Sequence, residues 1–321
     1  MTKSFVHLHA HTEYSMLDGA AKIVDYLKKV KELNQPAAAI TDHGNLYGAM
    51  EFVQKANDLG IKPIIGYEAY ITPGSRFDRP DRENNKRYHL TLLAENNIGY
   101  QNLVELVSKA YTEGYYYKPR IDYELLEQHH DGLIALSGCL GGELAQHLAP
   151  DGSVEEGNTS NERSFEKALE VAKKYQSIFG KNNYFIEIHN HGIKQQLDIL
   201  DDLVEIAEII EAPLVAANDS HYVEENGAEA HDALLCVQTN RTLDDESRFR
   251  FDGSGYYVKS SEEMRKLFPQ DKYPDACNNT IAIADRVNYE FNFDNSYLPD
   301  FPIDEKNVSP EELLKTKVYE G

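Results

Sequence analysis

The residues near the N terminus include types that could bind a metal ion. His9 and His11 are separated by one residue, and Asp18 follows seven residues after His11. If residues 5–10 form a strand, alternation places His7, His9 and His11 on one face. Two imidazoles with a nearby carboxylate suit a borderline metal such as zinc or manganese. An isolated pair of this kind, however, is more often one buried core histidine beside an exposed one.

Residues of the same chemical types recur along the chain near the ends of predicted strands. Each has an ordinary explanation by itself: Cys139 could be a small buried hydrophobe, His43 could belong to a turn, and Asp219 could cap a helix. It would be a rare coincidence for all of these residues to lie near strand ends independently of one another. The predicted metal ligands are His9, His11, Asp18, His43, Glu68, His89, Cys139, Asp219 and His221.

Nine ligands exceed the needs of one ion. Zinc binds about four donors, with one position open at a catalytic site, so nine protein ligands fit about three ions. With Cys139 as a thiolate and three ionised carboxylates, the ligand charge is about −4. Three divalent ions add about +6 and leave a pocket of about +2. Such a pocket would attract a phosphate, although the formal net charge of the chain is −22.

Alternating strand and helix patterns would position these residues. Strands are predicted at 5–10, 37–40, 63–70, 87–93, 133–136, 184–189 and 214–217, and helices at 21–33, 46–59, 98–111, 164–179, 195–210, 261–267 and 274–287. The alternation predicts an α/β fold with a parallel sheet and helices packed outside. Polar residues at the carboxyl ends of many strands favour a closed β/α barrel. An open doubly wound sheet, the alternative, would gather its ligands at one crevice.

Composition limits the class of protein. The 321 residues, 41% hydrophobic and 27% charged, suffice for one large core with or without a small appendage. We expect neither a signal peptide nor a membrane span, because no run of about 18 apolar residues occurs. The three scattered cysteines favour a reducing, cytoplasmic setting. The acidic balance argues against binding DNA over a broad surface.

The alternation fades after about residue 240. Residues 249–258 could form a hairpin, 297–304 (YLPDFPID) read as a linker, and a last helix is predicted from residue 310. We therefore predict a barrel core with the metal site over residues 1–240 and a C-terminal extension over residues 241–321.

Several sequence blocks resemble one protein family. They are FVHLHAHTEYSMLDGAAKI, AITDHGNLYGAMEF, IIGYEAYI, YHLTLLAENNIGYQNLVELVSKA, YYYKPRID, LSGCLGGELA and ANDSHYV. These blocks are similar to the PHP (polymerase and histidinol phosphatase) domain of bacterial replicative DNA polymerase III α subunits, from Phe5 to at least Arg250. The YSMLDGA and YYYKPRID blocks are typical of the polymerase branch of that family.

The resemblance implies a distorted seven-stranded β/α (TIM-like) barrel and a trinuclear divalent metal cluster. The metals would be zinc or manganese, with iron or magnesium as alternatives. The nine residues would divide among three ions: His9, His11, Glu68 and Asp219; Glu68, His89 and Cys139; and Asp18, His43 and His221. None of the nine is replaced in this sequence, which favours a working site.

The resemblance also implies an activity. It is a metal-dependent 3′–5′ exonuclease of the proofreading type, with DNA 3′ ends as substrate. A hydroxide activated by the metals would attack the terminal phosphodiester, with Glu68, Asp18 and Asp219 as the catalytic carboxylates. The implied partners are the remainder of the polymerase α subunit and other replisome subunits. The polymerase palm of the family lies downstream, so we expect no nucleotide polymerisation by this chain.

Candidate DNA contacts are Lys118, Arg120 and Tyr116 in the YYYKPRID block. Basic side chains can meet phosphates, and tyrosines can stack on unpaired bases. The arginines at 76, 79, 82 and 87 alternate with acidic residues, so we interpret that loop as a solvated one. Glu187, His191 and Asp42 are candidates to orient ligating imidazoles, and His7 is predicted to be structural.

Three alternative functions remain open from the sequence. A small-molecule phosphoesterase of the histidinol phosphatase kind would use the same metals on the same scaffold. An amidohydrolase also begins with His-x-His in a barrel, but it would not need a Cys ligand. A non-catalytic, metal-stabilised scaffold could support the polymerase body or a separate proofreading subunit.

Overall fold

The computed structural model describes residues 4–16, 18–81, 84–150, 162–291, 293, 303 and 308–321. The chain divides into two compact units, Met1–Tyr289 and Glu290–Gly321. Most of the predicted linker at 297–304 lies outside the described residues. No described helix combines the length and the apolar character that crossing a membrane requires.

The first unit contains a sheet with helices around it. The strands are β1 (Ala37–Ile40), β2 (Lys62–Ile71), β3 (Tyr88–Ala94), β4 (Arg120–Ile121), β5 (Leu133–Leu136), β6 (Tyr184–Ile188) and β7 (Leu214–Ala216). The helices are α1 (Ile23–Glu32), α2 (Ala49–Leu59), α3 (Asn97–Thr112), α4 (Tyr123–Gln128), α5 (Glu143–Leu148), α6 (Phe165–Phe179), α7 (Lys194–Ile210), α8 (Ala228–Thr239), α9 (Ser261–Leu267) and α10 (Ala276–Arg286). Helix α11 (Pro310–Glu320) belongs to the second unit.

The sheet is mixed rather than parallel. Its order is β1-β2-β3-β5-β6-β7, with β4 paired to β2. Strand β3 runs antiparallel to both β2 and β5, whereas the other pairs are parallel. The prediction of an all-parallel sheet is therefore wrong at β3. A parallel pair needs a crossover, usually a helix, and the described residues between β2 and β3 contain no helix.

Residues 5–11 join the two edges of the curled sheet. The carbonyl of His7 accepts a hydrogen bond from Ala39 N at 3.0 Å in β1, and His11 N donates to the Ser220 carbonyl at 2.8 Å, just after β7. The predicted strand at 5–10 is not one of the strands of the sheet, but backbone hydrogen bonds attach this segment to its neighbours on both sides. This closure confirms the predicted α/β class, a distorted seven-stranded barrel.

The core lies inside the sheet and beneath its helices. In α1, Ile23, Tyr26, Leu27 and Val30 are buried at the spacing of one helical face. The central cluster combines sheet residues with Ile283 of α10 and its neighbours. Residues after 240 therefore contribute to the same core as the barrel, whereas the predicted functional boundary at 240 stays a prediction.

Other sequence-based expectations differ from the structure. The predicted hairpin at 249–258 is wrong: Tyr257 instead pairs with Tyr222, and Val258 N donates to the Val223 carbonyl at 3.2 Å. The segment therefore pairs with the chain after β7 rather than with itself. The sequence patterns also missed β4, α4, α5 and α8, which are short or weakly amphipathic.

The packing of α10 predicts that this helix stabilises the barrel. Ile283 is fully buried, so Ile283→Ala should lower the free energy of unfolding by about 2–5 kcal/mol through lost burial and a cavity. The matched control is Ile209→Ala in α7, where the side chain is 47% exposed. Urea denaturation followed by circular dichroism measures both variants. Equal, small effects would contradict the inclusion of α10 in the core.

Candidate metal centre

All nine predicted ligands come together at one edge of the sheet. His9 and His11 lie between β1 and the chain after β7, and His43 follows β1. Glu68 lies within β2 opposite Thr91 of β3, and His89 lies at the start of β3. Because β3 runs antiparallel, its first residues, rather than its last, reach this edge. The remaining four lie in loops: Asp18, Cys139, Asp219 and His221.

The first group of donors surrounds one point. His9 Nε2 lies 3.4 Å from Glu68 Oε1 and 3.4 Å from Asp219 Oδ1. His11 Nε2 lies 3.3 Å from Glu68 Oε2 and 3.1 Å from Asp219 Oδ1. Donors placed about 2.1 Å from a tetrahedral ion lie about 3.4 Å from one another. The four side chains therefore have the spacing of a tetrahedral metal site.

The other donors form two further groups that share residues with the first. Glu68 Oε1 lies 3.0 Å from His89 Nδ1 and 3.6 Å from Cys139 Sγ. Asp18 lies between two imidazoles, with His43 Nε2 and His221 Nε2 each 3.3 Å from one of its oxygens. His43 Nδ1 also lies 2.7 Å from Glu68 Oε2. Glu68 is therefore the residue at which the groups meet.

Seven donor atoms of this site are buried and make no hydrogen bond of ordinary geometry to a described residue, although they lie 2.7–3.4 Å from other donor atoms of the site. Buried polar atoms without partners are rare and cost free energy. Imidazole nitrogens and carboxylate oxygens are donors for zinc and manganese. The residues present could therefore hold metal ions. The seven atoms are His9 Nε2, His11 Nε2, Asp18 Oδ1, His43 Nδ1, Glu68 Oε2, Asp219 Oδ1 and His221 Nε2.

The carboxylates of the site are ionised despite their burial. Burial alone would raise the pKa of Glu68, but the imidazoles of His89, His43 and His9 hold it well below its ordinary value. The pKa values of Asp18 and Asp219 are also well below their ordinary range, because neighbouring imidazoles outweigh burial. Negative charge is therefore stable in the site only while positive charge accompanies it.

The histidines and the cysteine show the complementary effect. Burial would lower the pKa of His9, but the carboxylates of Asp219, Glu187 and Glu68 raise it well above its ordinary value. Burial, and then the charge of Glu68, raise the pKa of Cys139 to about 11. Without a metal ion, protons on these groups balance the carboxylates. A bound cation would replace those protons and would deprotonate the thiol.

Glu187 fixes two parts of the site at once. Its Oε1 lies 2.7 Å from His9 Nδ1 and 3.0 Å from His189 Nε2, and its Oε2 accepts from Gly138 N at 3.0 Å. Burial opposes its charge, yet the imidazoles of His9 and His189 lower the pKa of Glu187 to about 2. The carboxylate thus orients one predicted ligand and holds the turn that precedes Cys139.

Asp42 also holds part of the site in place, at the loop of residues 11–18. It accepts from Thr12 N at 2.7 Å and from the Ser15 hydroxyl at 2.8 Å. Ser15 Oγ lies 2.8 Å from His11 Nδ1 and accepts from His43 N at 3.1 Å. Since the Ser15 hydroxyl donates to Asp42, the His11 ring must donate to Ser15. This chain of hydrogen bonds holds the loop that carries His11 and Asp18.

His7 and His191, which were also considered from the sequence, make their hydrogen bonds outside the group of predicted ligands. His7 is buried, its Nε2 lies 2.8 Å from the Lys259 carbonyl, and burial lowers its pKa to about 4. His191 stacks on Tyr256 with centroids 4.0 Å apart, and its ring nitrogens lie 2.8 Å from the Asn218 carbonyl and 2.8 Å from Gln196 Nε2. Sequence reasoning missed the roles of His189 and Ser15. Only the spacing of His189, two residues after Glu187 and just beyond the end of β6, could have indicated the first.

The candidate DNA contacts separate into three cases. Arg120 is fully buried, and its guanidinium donates to acceptors in two loops, including Asn85 Oδ1 between β2 and β3 and the Gly114 carbonyl after α3. The prediction that Arg120 contacts DNA is therefore wrong, because no part of it is accessible. Tyr116 is half-buried and donates to the Pro80 carbonyl at 2.7 Å. Lys118 is half-buried, with its ammonium 3.2 Å from the Tyr70 hydroxyl.

Comparisons with known proteins found a matching family model and similar curated proteins. A family model described as PHP domain matches residues 7–191. Proteins named DNA polymerase III subunit alpha are similar: that of Treponema pallidum (strain Nichols) is 44% identical over 319 residues, 99% of this chain and 26% of the relative. That of Thermus aquaticus is 45% identical over 317 residues, 96% of this chain and 25% of the relative. The chain spans about a quarter of the length of these curated relatives.

Solved structures show more distant similarity. A two-domain protein from Bacteroides vulgatus, described as containing a predicted PHP-like metal-dependent phosphoesterase, has a TM-score of 0.38 and 13% identity. The match covers 81% of this chain and 62% of that one. An amidohydrolase from Chromobacterium violaceum has a TM-score of 0.36 and 15% identity, covering 68% of this chain and 88% of that one.

Replacing Glu187 or Asp42, the two carboxylates that hold the loops of the site, should change the site in different ways. Glu187→Gln leaves too few acceptors for its three donors, so it should weaken metal binding about 10–100-fold and expose Cys139 to alkylation. Asp42→Asn should weaken metal binding as well but leave the alkylation of Cys139 near that of the parent. Elemental analysis and peptide mass spectrometry after iodoacetamide treatment measure both effects. Equal labelling of Cys139 in the two variants would contradict separate roles.

Proposed function

This chain belongs to the PHP domain family, and from that premise we propose that it is a metal-dependent 3′–5′ exonuclease. The observation that carries the proposal is the convergence of nine side chains of metal-ligand types at one site around Glu68, where seven buried donor atoms make no hydrogen bond of ordinary geometry. The relatives named DNA polymerase III subunit alpha make DNA the proposed substrate class. A proofreading role beside the remainder of a polymerase α subunit and other replisome subunits, in the cytoplasm, is part of this proposal.

We assign the ligands to three divalent ions, zinc or manganese, with iron or magnesium as alternatives. The sulfur of Cys139 favours zinc at the second position, whereas the third, with one carboxylate and two imidazoles, also suits manganese. When bound, such ions lower the pKa of a water and neutralise charge on a phosphate. The assignment is His9, His11, Glu68 and Asp219 for the first ion; Glu68, His89 and Cys139 for the second; and Asp18, His43 and His221 for the third.

The protein residues contribute position and charge. Glu68 is 1% exposed, and its two oxygens face different groups, so it would fix the spacing between ions. The side chains of Asp18 and Asp219 are 17% and 11% exposed, whereas those of His9 and His11 are inaccessible. A phosphodiester would therefore approach from the side of the two aspartates. Asp219 also has a left-handed φ of 46°, a strained conformation that occurs often at functional sites.

Digestion of 3′-labelled DNA by the purified chain tests the proposal. We expect release of the labelled nucleotide, and complete loss of release with a chelator. Asp18→Asn and Asp219→Asn should each reduce the rate at least about 100-fold, because they remove a ligand charge. The matched control, Asp201→Asn, changes a side chain that is 87% exposed in α7 and should leave the rate unchanged.

Other outcomes would separate the rival functions. Hydrolysis of simple phosphomonoesters without release from DNA ends would favour a small-molecule phosphoesterase. Bound metal without hydrolysis of either substrate would favour a scaffold. Chelator-resistant release, or release by Asp219→Asn at the parent rate, would contradict the assignment of this site to the reaction.

A further inference from the structure

Three tyrosines form an exposed row on the first unit, which we call the tyrosine row. Tyr47, Tyr111 and Tyr115 are 59%, 38% and 54% exposed. The rings of Tyr47 and Tyr111 have centroids 6.4 Å apart, and those of Tyr111 and Tyr115 are stacked at 6.0 Å. Single exposed aromatic residues are ordinary on protein surfaces. Here Tyr111 contacts both of the others, so three exposed aromatic rings lie next to one another on the surface.

The row adjoins the metal centre through the loop after β1. The amide of Asn45 donates to the His43 carbonyl at 2.9 Å, and Tyr47 N donates to Asn45 Oδ1 at 3.0 Å. The loop that follows Tyr115 packs on the same segment, since a Cβ on Gly44 would lie 2.9 Å from Pro119 Cγ. Both ends of the row are therefore attached beside the predicted ligand His43.

A cation lies near the metal centre, on a residue three positions after Tyr115. The Lys118 ammonium is 3.2 Å from the Tyr70 hydroxyl and 5.0 Å from the centroid of its ring. The Tyr70 ring packs against His89 and His43, with centroids 5.3 Å and 6.0 Å away. Lys118 thus offers a positive charge to a phosphate close to the metal centre.

The carboxylate between Tyr111 and Tyr115 in the sequence is paired with basic side chains. Glu113, which follows Tyr111 by two residues, is 2.7 Å from Arg76 Nε and 3.4 Å from Lys109 Nζ. Those pairs neutralise the carboxylate closest in sequence to Tyr111 and Tyr115. Stacking itself needs no positive charge, because every base presents a π face to a tyrosine ring.

We propose that the tyrosine row is a stacking platform for unpaired bases of a DNA strand whose 3′ end lies at the metal centre. Bases within a duplex are stacked on each other, so the platform selects single-stranded or frayed 3′ ends. The direction of the strand rests on the proposed exonuclease function, whereas the stacking surface itself does not. Tyr117, 61% exposed with a left-handed φ of 63°, lies beside Lys118 and could extend the platform.

Binding of a fluorescein-labelled oligothymidylate tests the platform. All variants are made in the Asp219→Asn background to suppress cleavage, and fluorescence anisotropy gives the Kd. Replacing Tyr47, Tyr111 and Tyr115 together by Ala should weaken binding about tenfold or more, whereas replacement by Phe, which keeps the rings, should retain it. The control Tyr319→Ala, at a residue that is 89% exposed in α11, should have no effect. Circular dichroism checks that each variant is folded.

Duplex DNA and a small substrate complete the experiment. A blunt duplex should bind the parent more weakly than the single strand and should respond little to the alanine changes. With Asp219 restored, the alanine variant should hydrolyse bis(p-nitrophenyl) phosphate as the parent does but lose its preference for a longer single strand. Unchanged oligothymidylate binding in the alanine variant, as expected if the row instead contacts another protein segment, would overturn the platform. Failure of the parent to hydrolyse any substrate would instead count against the proposed function.

Discussion

The burial of the Glu68 carboxylate is the constraint on which the site depends. The side chain is 1% exposed, and four imidazoles and a thiol surround it. A charge removed from water in this way is tolerated only when opposite charge accompanies it. The Nδ1 atoms of His9 and His11 contact Glu187 and Ser15, so their Nε2 atoms point toward carboxylate oxygens. Only a proton or a metal cation between those atoms makes the arrangement stable.

The barrel geometry brings these donors together from distant parts of the chain. Parallel strands deliver residues that follow them, such as His43 after β1 and Asp219 after β7. Strand β3 delivers His89 at its beginning because it runs in the opposite direction, in register with β2 at Tyr70. Closure by residues 5–11 then places His9 and His11 between the two sheet edges. The reversed strand is therefore needed to complete the site, rather than being an exception to a regular barrel.

Much of this could be predicted from the sequence, and the exceptions have physical causes. Donor residues beside apolar runs indicated which side chains come together at one site, because the ends of buried strands carry few polar residues by chance. Strand direction was not predictable in the same way, since β3 has the same apolar pattern in either direction. Arg120 was misassigned because a sequence does not distinguish a guanidinium that binds phosphate from one that holds loops through backbone carbonyls. The weakly periodic α8 was missed for lack of a clear apolar face.

The proposed substrate of this acidic chain is a nucleic acid. Binding it requires interactions that do not depend on the net charge of the protein. The formal charge of −22 would repel a phosphate backbone at long range. Within a Debye length of about 8 Å, however, the local arrangement decides the interaction. The proposed metal ions at Glu68, the ammonium of Lys118 and uncharged tyrosine rings would each act over short distances. Such a surface would favour a strand end that fits the site over a long duplex that only lies against the protein, because general electrostatic attraction contributes nothing to either.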